Sequence, residues 1–361
     1  MSGTSLDGVD VVISDFADFP PRLLYCATSP YDTSLQNRLR RLCRAQTTSL
    51  DELYSLDAEL GEVYAQLVNN ALQQAGLTSD QVIAIGCHGQ TIRHSPDSEI
   101  PYTAQIGDPN RIAARSGITT IADFRRKDIA FGGQAAPLAP AFHGFLFRSS
   151  VENRAVINIG GIANITYLPA DSELPILGFD TGPGNTLLDF WVQRHRNTAY
   201  DDGGDWARKG KIDSEILNRM IESEAYFHQP APKSTGTEYF NPDWLDGFVD
   251  DSTDAVTLQA TLVELTVTTI ARAIRSLPAL PGSCYVCGGG ARNRYLLLRL
   301  ALALPECAVK TTAELGLDAD FVEAGAFAWL ARERINLRAA NEPGVTRAYQ
   351  KTLLGGIYAA D

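Results

Sequence analysis

The sequence predicts an α/β protein of two domains, and three observations support this. Strand-like apolar runs alternate with helical runs, which is the pattern of α/β architecture. A second round of strands and glycine turns begins near residue 154, after the apolar run breaks at 147–153. The length of 361 residues also fits about two domains. We therefore predict domains at 1–149 and 150–335, with 336–361 as a candidate segment for completing the first.

Two helices have clear start and stop signals. Ser49 stands three residues before Glu52, as in a capping box, and leucines then recur at spacings of three and four until Gly76. This pattern predicts a long helix with one apolar side packed on a sheet. An Asp-Pro pair at 108–109 predicts the start of a second helix, which Gly117 ends.

Strands are predicted where apolar runs meet polar turns. Residues 82–87 form a buried strand in this prediction, with His88 and Gln90 at its carboxyl end, where open α/β sheets place ligands. In the second round, the run at 176–179 is predicted to be a strand that delivers Asp180 at its end.

Composition and charge describe an ordinary globular protein. Apolar residues make up 45% of the chain and charged residues 20%. The balance of 31 basic to 43 acidic residues gives a net charge of −12, which argues against a nucleic-acid or anionic-membrane partner. No stretch approaches the roughly 18 apolar residues of a membrane span, and the first residues lack a signal-peptide layout. We therefore expect a cytoplasmic protein.

Four glycine-rich turns lie far apart in the chain, and together they suit a nucleotide held from two sides. Their backbone N–H groups can hold phosphate oxygens. None has the spacing of a Walker A loop or of a dinucleotide fingerprint. Taken alone, the first turn also fits a simple turn before an edge strand. The four turns are 2–8 (SGTSLDG), 158–164 (NIGGIAN), 178–185 (GFDTGPGN) and 287–293 (CGGGARN).

Asp180 is the candidate general base, because its carboxylate precedes Thr-Gly-Pro-Gly on a backbone with little freedom to move. The alternative from spacing alone is an aspartate that caps a helix starting near Asn185. Glu323 likewise has two interpretations, as a solvated acid on a helix or as a ligand of a metal ion.

These segments resemble one family closely, the anhydro-N-acetylmuramic acid kinases of the actin, Hsp70 and hexokinase superfamily. The resemblance runs in order over nearly the whole chain. The matching strings are SGTSLDG (2–8), CHGQT (87–91), QIGDPNRIAARSGI (105–118), ADFRRKD (122–128), GGQAAPLAPAFH (132–143), NIGGIANIT (158–166), GFDTGPGN (178–185), KSTGTEYFN (233–241) and CGGGARN (287–293).

Three departures from the family pattern stand out. Family members usually carry a half-strand ahead of SGTSLDG, read GGQGAPL where this chain has Ala135, and read VTGA where it has Arg347. Because the half-strand is missing, we expect residues 1–4 to be poorly anchored compared with 9–13.

The resemblance implies a two-domain actin/hexokinase-like (ribonuclease H-like) fold, with an ATP/sugar cleft between a sugar-side first domain and a nucleotide-side second domain. The loops at 2–8 and 158–164 are then expected to face each other across that cleft. Asp180 matches the family's catalytic aspartate. The implied nucleotide-binding residues are Gly3, Thr4, Ser5, Leu6, Asp7, Gly8, Val9, Asp10, Gly160, Gly161, Asn164, Gly288, Gly289 and Gly290.

Metal and sugar ligands are implied in the first domain and the helix near its end. Asp7 and Glu323 are the implied magnesium ligands, acting through waters because this ion dehydrates reluctantly. Arg126 is favoured for the sugar's lactyl carboxylate, because a guanidinium pairs with a carboxylate through two bonds. The full predicted sugar-binding set is His88, Gln90, Asp123 and Arg126.

The activity implied by the resemblance is an ATP- and Mg²⁺-dependent kinase, and the family also implies a homodimer. It hydrolytically opens 1,6-anhydro-N-acetylmuramic acid and phosphorylates O6, giving N-acetylmuramic acid 6-phosphate and ADP in cell-wall recycling. Two alternatives stay open at this point. One is a kinase for another anhydrosugar such as levoglucosan, and the other is an actin- or Hsp70-like module that converts ATP binding into a conformational change.

Overall fold

The computed structural model describes residues 1–3, 6, 8–250, 253–315 and 318–361. The chain divides into two compact units: unit 1 is Met1–Phe142 with Phe321–Asp361, and unit 2 is His143–Asp320. The domain limits expected from the sequence, 149 and 335, differ from this division. The second limit differs most, because the chain joins unit 1 before its last long helix instead of after it.

The elements of the described chain are as follows. The strands are β1 (Gly8–Asp15), β2 (Arg22–Pro30), β3 (Ile85–Gly86), β4 (Gln90–Ser95), β5 (Tyr102–Ile106), β6 (Thr120–Ala122), β7 (Arg154–Ile159), β8 (Ile162–Leu168), β9 (Leu177–Pro183), β10 (Ser283–Cys287), β11 (Ala308–Thr311) and β12 (Gly356–Tyr358). The helices are α1 (Thr33–Arg44), α2 (Leu50–Ala75), α3 (Pro109–Ser116), α4 (Arg126–Ala130), α5 (Ala139–Phe147), α6 (Thr186–Arg196), α7 (Ser214–Ser223), α8 (Ala225–His228), α9 (Pro242–Asp246), α10 (Ala255–Arg275), α11 (Arg294–Ala303), α12 (Val322–Ile335) and α13 (Pro343–Thr346).

Unit 2 is built on a five-stranded sheet in the order β11-β10-β7-β8-β9. β11, β10 and β7 run parallel, whereas β7, β8 and β9 form an antiparallel meander. Ile157, Ile159 and Ile165 are fully buried in its core, and α10 is buried along most of its length. Helices packed on a sheet of this kind confirm the α/β prediction.

Unit 1 contains three smaller sheets among its described residues. β1 and β2 form an antiparallel hairpin, β4 and β5 form another, and β3, β6 and β12 make the third. β3 runs parallel to β6, while β12 runs antiparallel to it. The segment after α12 therefore supplies a strand to a sheet that the first part of the chain begins.

A largely apolar cavity of about 690 Å³ lies inside unit 1 between β1 and β3. Residues of both strands and of α2 line it, including Val11, Ile85 and Leu67. β1 and β3 each have a single strand neighbour, β2 and β6 respectively. The cavity thus separates the hairpin from the three-stranded sheet. Among the described residues, no helix combines the length and the apolar character needed to cross a bilayer.

The helix signals of the sequence are confirmed. Ser49 precedes α2 and accepts a hydrogen bond from the Glu52 N–H at 3.1 Å, and Gly76 ends this helix with a φ of 67°. α3 begins after Asp108 and ends at Gly117. Both helix ends use the left-handed conformation that glycine adopts without strain.

Two sequence predictions about unit 1 are wrong. Only Ile85–Gly86 of the strand expected at 82–87 pairs, because β6 offers a short partner, and Ile83 is 82% exposed. The first residues are also anchored: the Asp10 N–H donates to the Met1 carbonyl at 2.8 Å, and Ser2 is buried. Backbone pairing with β1 thus holds a segment that we expected to be loosely attached.

The buried carboxylate of Asp128 joins two parts of unit 1 that are distant in sequence. It accepts hydrogen bonds from the Ala135 N–H at 2.8 Å, the Asn341 amide at 2.8 Å and the Thr346 hydroxyl at 2.9 Å. The Gln134 N–H also donates to the Thr346 carbonyl at 2.6 Å. Because a buried carboxylate needs such donors, Asp128 fixes the chain near residue 346 onto the loop before α5.

Both single-residue departures from the family pattern lie beside this carboxylate, and both occupy left-handed backbone. Ala135 has a φ of 56° and Arg347 a φ of 66°. Glycine adopts this conformation freely, whereas a residue with a Cβ pays about 1–2 kcal/mol. The chain therefore carries local strain at two positions where glycine is the default residue.

Arg347→Gly should leave the free energy of unfolding unchanged or raise it by up to about 1 kcal/mol. Relief of the left-handed strain opposes the roughly 0.5–1 kcal/mol that glycine's extra unfolded-state entropy costs. The matched control is Arg40→Gly on the exposed side of α1, where φ is helical and a loss of about 1 kcal/mol is expected. Urea unfolding measures both, and equal losses in the two variants would contradict the assignment of strain.

Candidate active site

Asp180 lies within β9 and not at its end, so the strand-end prediction is wrong. Thr181, Gly182 and Pro183 continue the strand, because β8 is long enough for Ala163 and Ile162 to pair with Gly182 and Pro183. The pairing register shifts between Ala163 and Asn164, which places Asn164 opposite Asp180. Such an irregularity re-aims a side chain on an otherwise regular strand.

Three hydrogen bonds fix Asp180 against the segment that follows α7. Its N–H donates to the Lys233 carbonyl at 3.0 Å, and its carbonyl accepts from the Tyr226 hydroxyl at 2.8 Å. Its carboxylate Oδ2 accepts from the Thr235 N–H at 3.0 Å. Asn185, not Asp180, is the N-cap residue of α6. The Asp180 carboxylate accepts its hydrogen bond from Thr235 and does not cap that helix.

The surroundings of Asp180 tune its acidity toward neutral pH. Burial raises the pKa to about 6, the Thr235 N–H acts in the opposite direction, and the negative charge of Glu238 adds to the increase. A carboxyl group with a pKa near 6 is mostly ionised at pH 7 yet binds a proton readily. This is the property that a general base at neutral pH requires.

Two of the predicted glycine turns meet in unit 2. Gly160 and Gly161 connect β7 to β8, and their carbonyls accept hydrogen bonds from the N–H groups of Asn185 and Gly184 at 2.8 and 2.9 Å. The Asn185 amide donates in turn to the Ile159 carbonyl at 3.0 Å. The turn before α6 is thereby bound to the turn after β7.

The glycine turn at 287–293 follows β10 and packs on the carboxyl end of β7. A Cβ on Gly288 would lie 2.4 Å from the Asn158 side chain, and one on Gly290 would lie 2.4 Å from Ile159. Gly289, by contrast, is exposed. A Cβ on Gly289 would lie 3.6 Å from its nearest neighbour, the Asn185 amide nitrogen. The exposed backbone of Gly161 and Gly289 therefore leaves room for a ligand. The neighbouring positions 288 and 290 have no room for a side chain.

The N-terminal loop is described only in part. Thr4, Ser5 and Asp7 lie outside the described residues. The Gly3 carbonyl accepts from the Gln90 amide at 3.2 Å, and Gly8 begins β1 with its Cα against the Ser29 carbonyl.

The other predicted nucleotide ligands of this loop have side chains with partners inside unit 1. Leu6 and Val9 belong to the buried core, so only their backbone is available to a ligand. The Asp10 carboxylate accepts from the Thr28 hydroxyl at 2.6 Å, across the β1–β2 hairpin.

His88 and Gln90 are buried, and their polar atoms already bond to the protein. The His88 Nδ1 lies 2.8 Å from the Gly89 carbonyl and carries the proton, because a carbonyl only accepts. Its Nε2 accepts from the Arg125 Nε–H at 2.9 Å. The Gln90 Oε1 accepts from the Ser2 hydroxyl at 2.5 Å. These side chains support the base of the N-terminal loop and orient Arg125.

Asp123 and Arg126 form a two-pronged ion pair, with both N···O distances at 2.8 Å. The hydrogen bond that Arg126 donates to Asp123 raises the pKa of Arg126. Asp123 has a φ of 56°, so it is held in an uncommon conformation directly after β6. The guanidinium that the sequence favours for a sugar carboxylate is therefore paired with a carboxylate of its own.

Sequence reasoning missed Arg125, the neighbour of Arg126. Its Nη1 donates to the Ala135 carbonyl at 2.5 Å, and burial lowers the pKa of Arg125 to about 10, against the opposing charges of Glu323 and Asp128. The ADFRRKD string holds both arginines, but nothing in it shows which one points inward.

Glu323 lies in the first turn of α12 and reaches solvent. The surrounding protein removes part of its hydration and raises the pKa of Glu323, while the charge of Arg125 lowers it and that of Asp10 raises it. Within the described residues, no group of three or more His, Cys, Asp or Glu side chains is placed to hold a metal ion. The magnesium role of Glu323 with Asp7 stays a prediction.

Two α/β units, glycine turns that converge in unit 2 and a carboxyl group with a pKa near 6 are features that suit a phosphotransferase. The chain belongs to the anhydro-N-acetylmuramic acid kinase family, whose model matches residues 1–360. Membership confirms the resemblance, and it makes the protein a kinase.

Relatives named anhydro-N-acetylmuramic acid kinase share nearly half of their residues with this chain. The protein of Pasteurella multocida is 48% identical over 99% of this chain and 95% of its own length. That of Coxiella burnetii is 46% identical over 99% and 96%, and that of Shewanella oneidensis is 49% identical over 100% and 97%. The similarity therefore covers both units.

The neutral, buried His88 should make stability depend on pH. Burial and the charge of Arg125 hold the pKa of His88 well below 6.5 in the folded state, so the unfolded chain binds the extra proton and stability falls as the pH drops below 6.5. Relative to His88→Gln, the wild type should lose about 1.4 kcal/mol per pH unit below 6.5.

Denaturant unfolding of both proteins between pH 5 and pH 8.5 measures this difference. Above pH 7.5 the imidazole is neutral in both states, so a constant difference there is the internal control. A difference that stays constant down to pH 5 would contradict a neutral His88.

Proposed function

We propose that this protein is an ATP-dependent kinase that opens 1,6-anhydro-N-acetylmuramic acid with water and phosphorylates O6. The products are N-acetylmuramic acid 6-phosphate and ADP, and the reaction serves recycling of cell-wall fragments. The observation that carries this proposal is the half-buried Asp180 carboxylate, which has a pKa of about 6 and accepts a hydrogen bond from the Thr235 N–H, in a chain of this family. The backbone N–H and carbonyl of Asp180 bond to the same segment.

Asp180 acts on a water molecule in this mechanism. Its carboxylate removes a proton as the water oxygen bonds to the anomeric carbon of the sugar. The bond between that carbon and the bridge oxygen breaks, and the oxygen stays on C6, where it accepts the γ-phosphoryl group. Because the bridge oxygen has no free valence until it leaves the anomeric carbon, hydrolysis and phosphorylation belong to one reaction.

The glycine turns of unit 2 fit the nucleotide. Gly161 and Gly289 expose backbone beside Asn185, which suits close approach of phosphate and ribose groups. When bound, ATP with Mg²⁺ supplies the phosphoryl group and neutralises its charge. We further propose that the N-terminal loop at residues 3–8 binds the nucleotide and that Asp7 and Glu323 are the magnesium ligands. We also propose a cytoplasmic homodimer.

Asp180→Asn should bind ATP and sugar normally and lose turnover by roughly 10²- to 10⁴-fold, the usual contribution of a positioned base. In the wild type, kcat/KM should fall below a pH of about 6 as the carboxylate is protonated. Steady-state kinetics measures both effects. The matched control is Asp243→Asn, an exposed carboxylate of unit 2, which should leave turnover unchanged. Turnover of Asp180→Asn within threefold of the wild type would reject the mechanism.

Turnover in ¹⁸O-labelled water tests the substrate and the path of the water together. With the anhydro-muramic sugar, one label should appear on the anomeric hydroxyl and none in the phosphate ester, with the anomeric configuration initially inverted. NMR and mass spectrometry soon after mixing avoid exchange of this hydroxyl. Faster turnover of levoglucosan or of open-chain N-acetylmuramic acid would overturn the substrate assignment, and label in the phosphoryl group would overturn the single reaction.

A further inference from the structure

Glu224 is a buried carboxylate of unit 2 that the mechanism does not use. It is 7% exposed and accepts hydrogen bonds from the Tyr226 N–H at 2.9 Å, the Tyr239 hydroxyl at 2.6 Å and the Trp244 indole N–H at 2.8 Å. Burial works to raise the pKa of Glu224, but the three donors outweigh it and the pKa is lowered. The carboxylate is thus ionised and fully engaged.

Two of the three donors to Glu224, Tyr226 and Tyr239, stand at the two ends of the segment that holds Asp180. The segment runs from Tyr226 to Tyr239. At its first end, the Tyr226 hydroxyl donates to the Asp180 carbonyl. It then crosses β9, where Lys233 and Thr235 bond to the backbone and carboxylate of Asp180. It returns to Glu224 at Tyr239. One carboxylate therefore closes the loop that carries the Thr235 N–H.

Further contacts brace this loop but do not replace that closure. The Lys233 ammonium donates to the Tyr226 carbonyl at 2.9 Å and lies 4.5 Å from the centre of the Tyr226 ring. Phe240 is fully buried, stacks on Phe227 at 5.4 Å and meets Tyr226 edge-on at 5.7 Å. These contacts order the aromatic side chains, while the direction of the Thr235 N–H depends on where the two ends of the loop are held.

We propose that Glu224 is a positioning residue for Asp180: by fixing Tyr226 and Tyr239 it holds the Thr235 N–H on the Asp180 carboxylate. The inference rests on the proposed function only in taking Asp180 as the base. The inference goes beyond the proposed function because it makes the orientation and the pKa of Asp180 depend on Glu224, a carboxylate that the mechanism does not use.

Several charged groups face the two carboxylates. Glu238 raises the pKa of Asp180, and burial lowers the pKa of Lys233 on the segment between them. His228 lowers the pKa of Glu224 from the end of α8. A change at Glu224 that moves the loop alters the Thr235 hydrogen bond first, because this bond is the contact through which the loop lowers the pKa of Asp180.

Glu224→Gln tests the proposal, because the amide NH₂ of glutamine places a donor against one of the three donors. We expect kcat to fall by about 10- to 100-fold with little change in the Kd for ATP. The acid limb of the kcat/KM profile should move to higher pH by about 0.5–1 unit, since loss of the Thr235 donor raises the pKa of Asp180. The matched control is Glu222→Gln, an exposed glutamate on α7, which should reproduce the wild-type profile.

Tyr239→Phe provides a second test if Glu224→Gln does not fold. It removes one donor from Glu224 and keeps the carboxylate, so a smaller shift of the acid limb in the same direction is expected. Circular dichroism and thermal unfolding establish that each variant is folded. A folded variant of either kind with kcat within twofold of the wild type and an unmoved acid limb would overturn the positioning role.

A titration that needs no turnover separates this inference from the proposed function. The ¹³C carboxyl signal of Asp180, assigned by its loss in Asp180→Asn, reports the pKa directly in wild type and in Glu224→Gln. A higher midpoint in the variant supports the positioning role, and equal midpoints reject it. Absence of wild-type turnover on the anhydro sugar would reject the proposed function instead.

Discussion

The hydrogen bond from the Thr235 N–H to the Asp180 carboxylate is the constraint on which the chemistry of unit 2 depends. Burial alone would raise the pKa of Asp180 further and leave less of the carboxylate ionised at neutral pH. The donor offsets part of that effect and also fixes the direction of the carboxylate. One backbone group, more than fifty residues away in sequence, thus moderates the pKa of Asp180 and also orients its carboxylate.

The base of the N-terminal loop in unit 1 depends on buried hydrogen bonds in a similar way. The Ser2 hydroxyl donates to Gln90 and accepts from Tyr31 at 2.8 Å, and the hydroxyls of Tyr31 and Tyr64 lie 3.0 Å apart. A buried polar network of this kind is rigid when every member has a partner. It explains why a segment that begins the described chain is held firmly against β1.

The fold was predictable where local chemistry decides it. Ser49, Glu52 and Gly76 set the ends of α2 through hydrogen bonds within a few residues, so the sequence contains the necessary information. The prediction of a strand over the whole of 82–87 was wrong, because the length of this strand depends on its partner β6. β6 is short, and nothing in 82–87 indicates this. Local pattern therefore located the elements, and their partners determined their lengths.

For the candidate site, the sequence proposes positions but does not give their hydrogen-bond partners. The sequence proposes Asp180 as the base, whereas its place inside β9 depends on the pairing of this strand with β8. The proposed sugar ligands follow from side-chain chemistry, yet three of them already form hydrogen bonds with other residues of unit 1: His88, Gln90 and Arg126. Which of two adjacent arginines turns inward depends on φ, ψ and packing, which composition and spacing do not encode.

The discontinuity of unit 1 bears on how the chain folds as it is synthesised. A ribosome releases His143–Asp320 as one continuous stretch, so unit 2 has all of its strands before unit 1 has β12 and the Asn341 and Thr346 partners of Asp128. Unit 2 thus has all of its residues before unit 1 does, whereas domains generally become complete in order from the N-terminus. Until residues 341–358 have been synthesised, Met1–Phe142 therefore carries the Asp128 carboxylate without two of its donors and β6 without its neighbour β12.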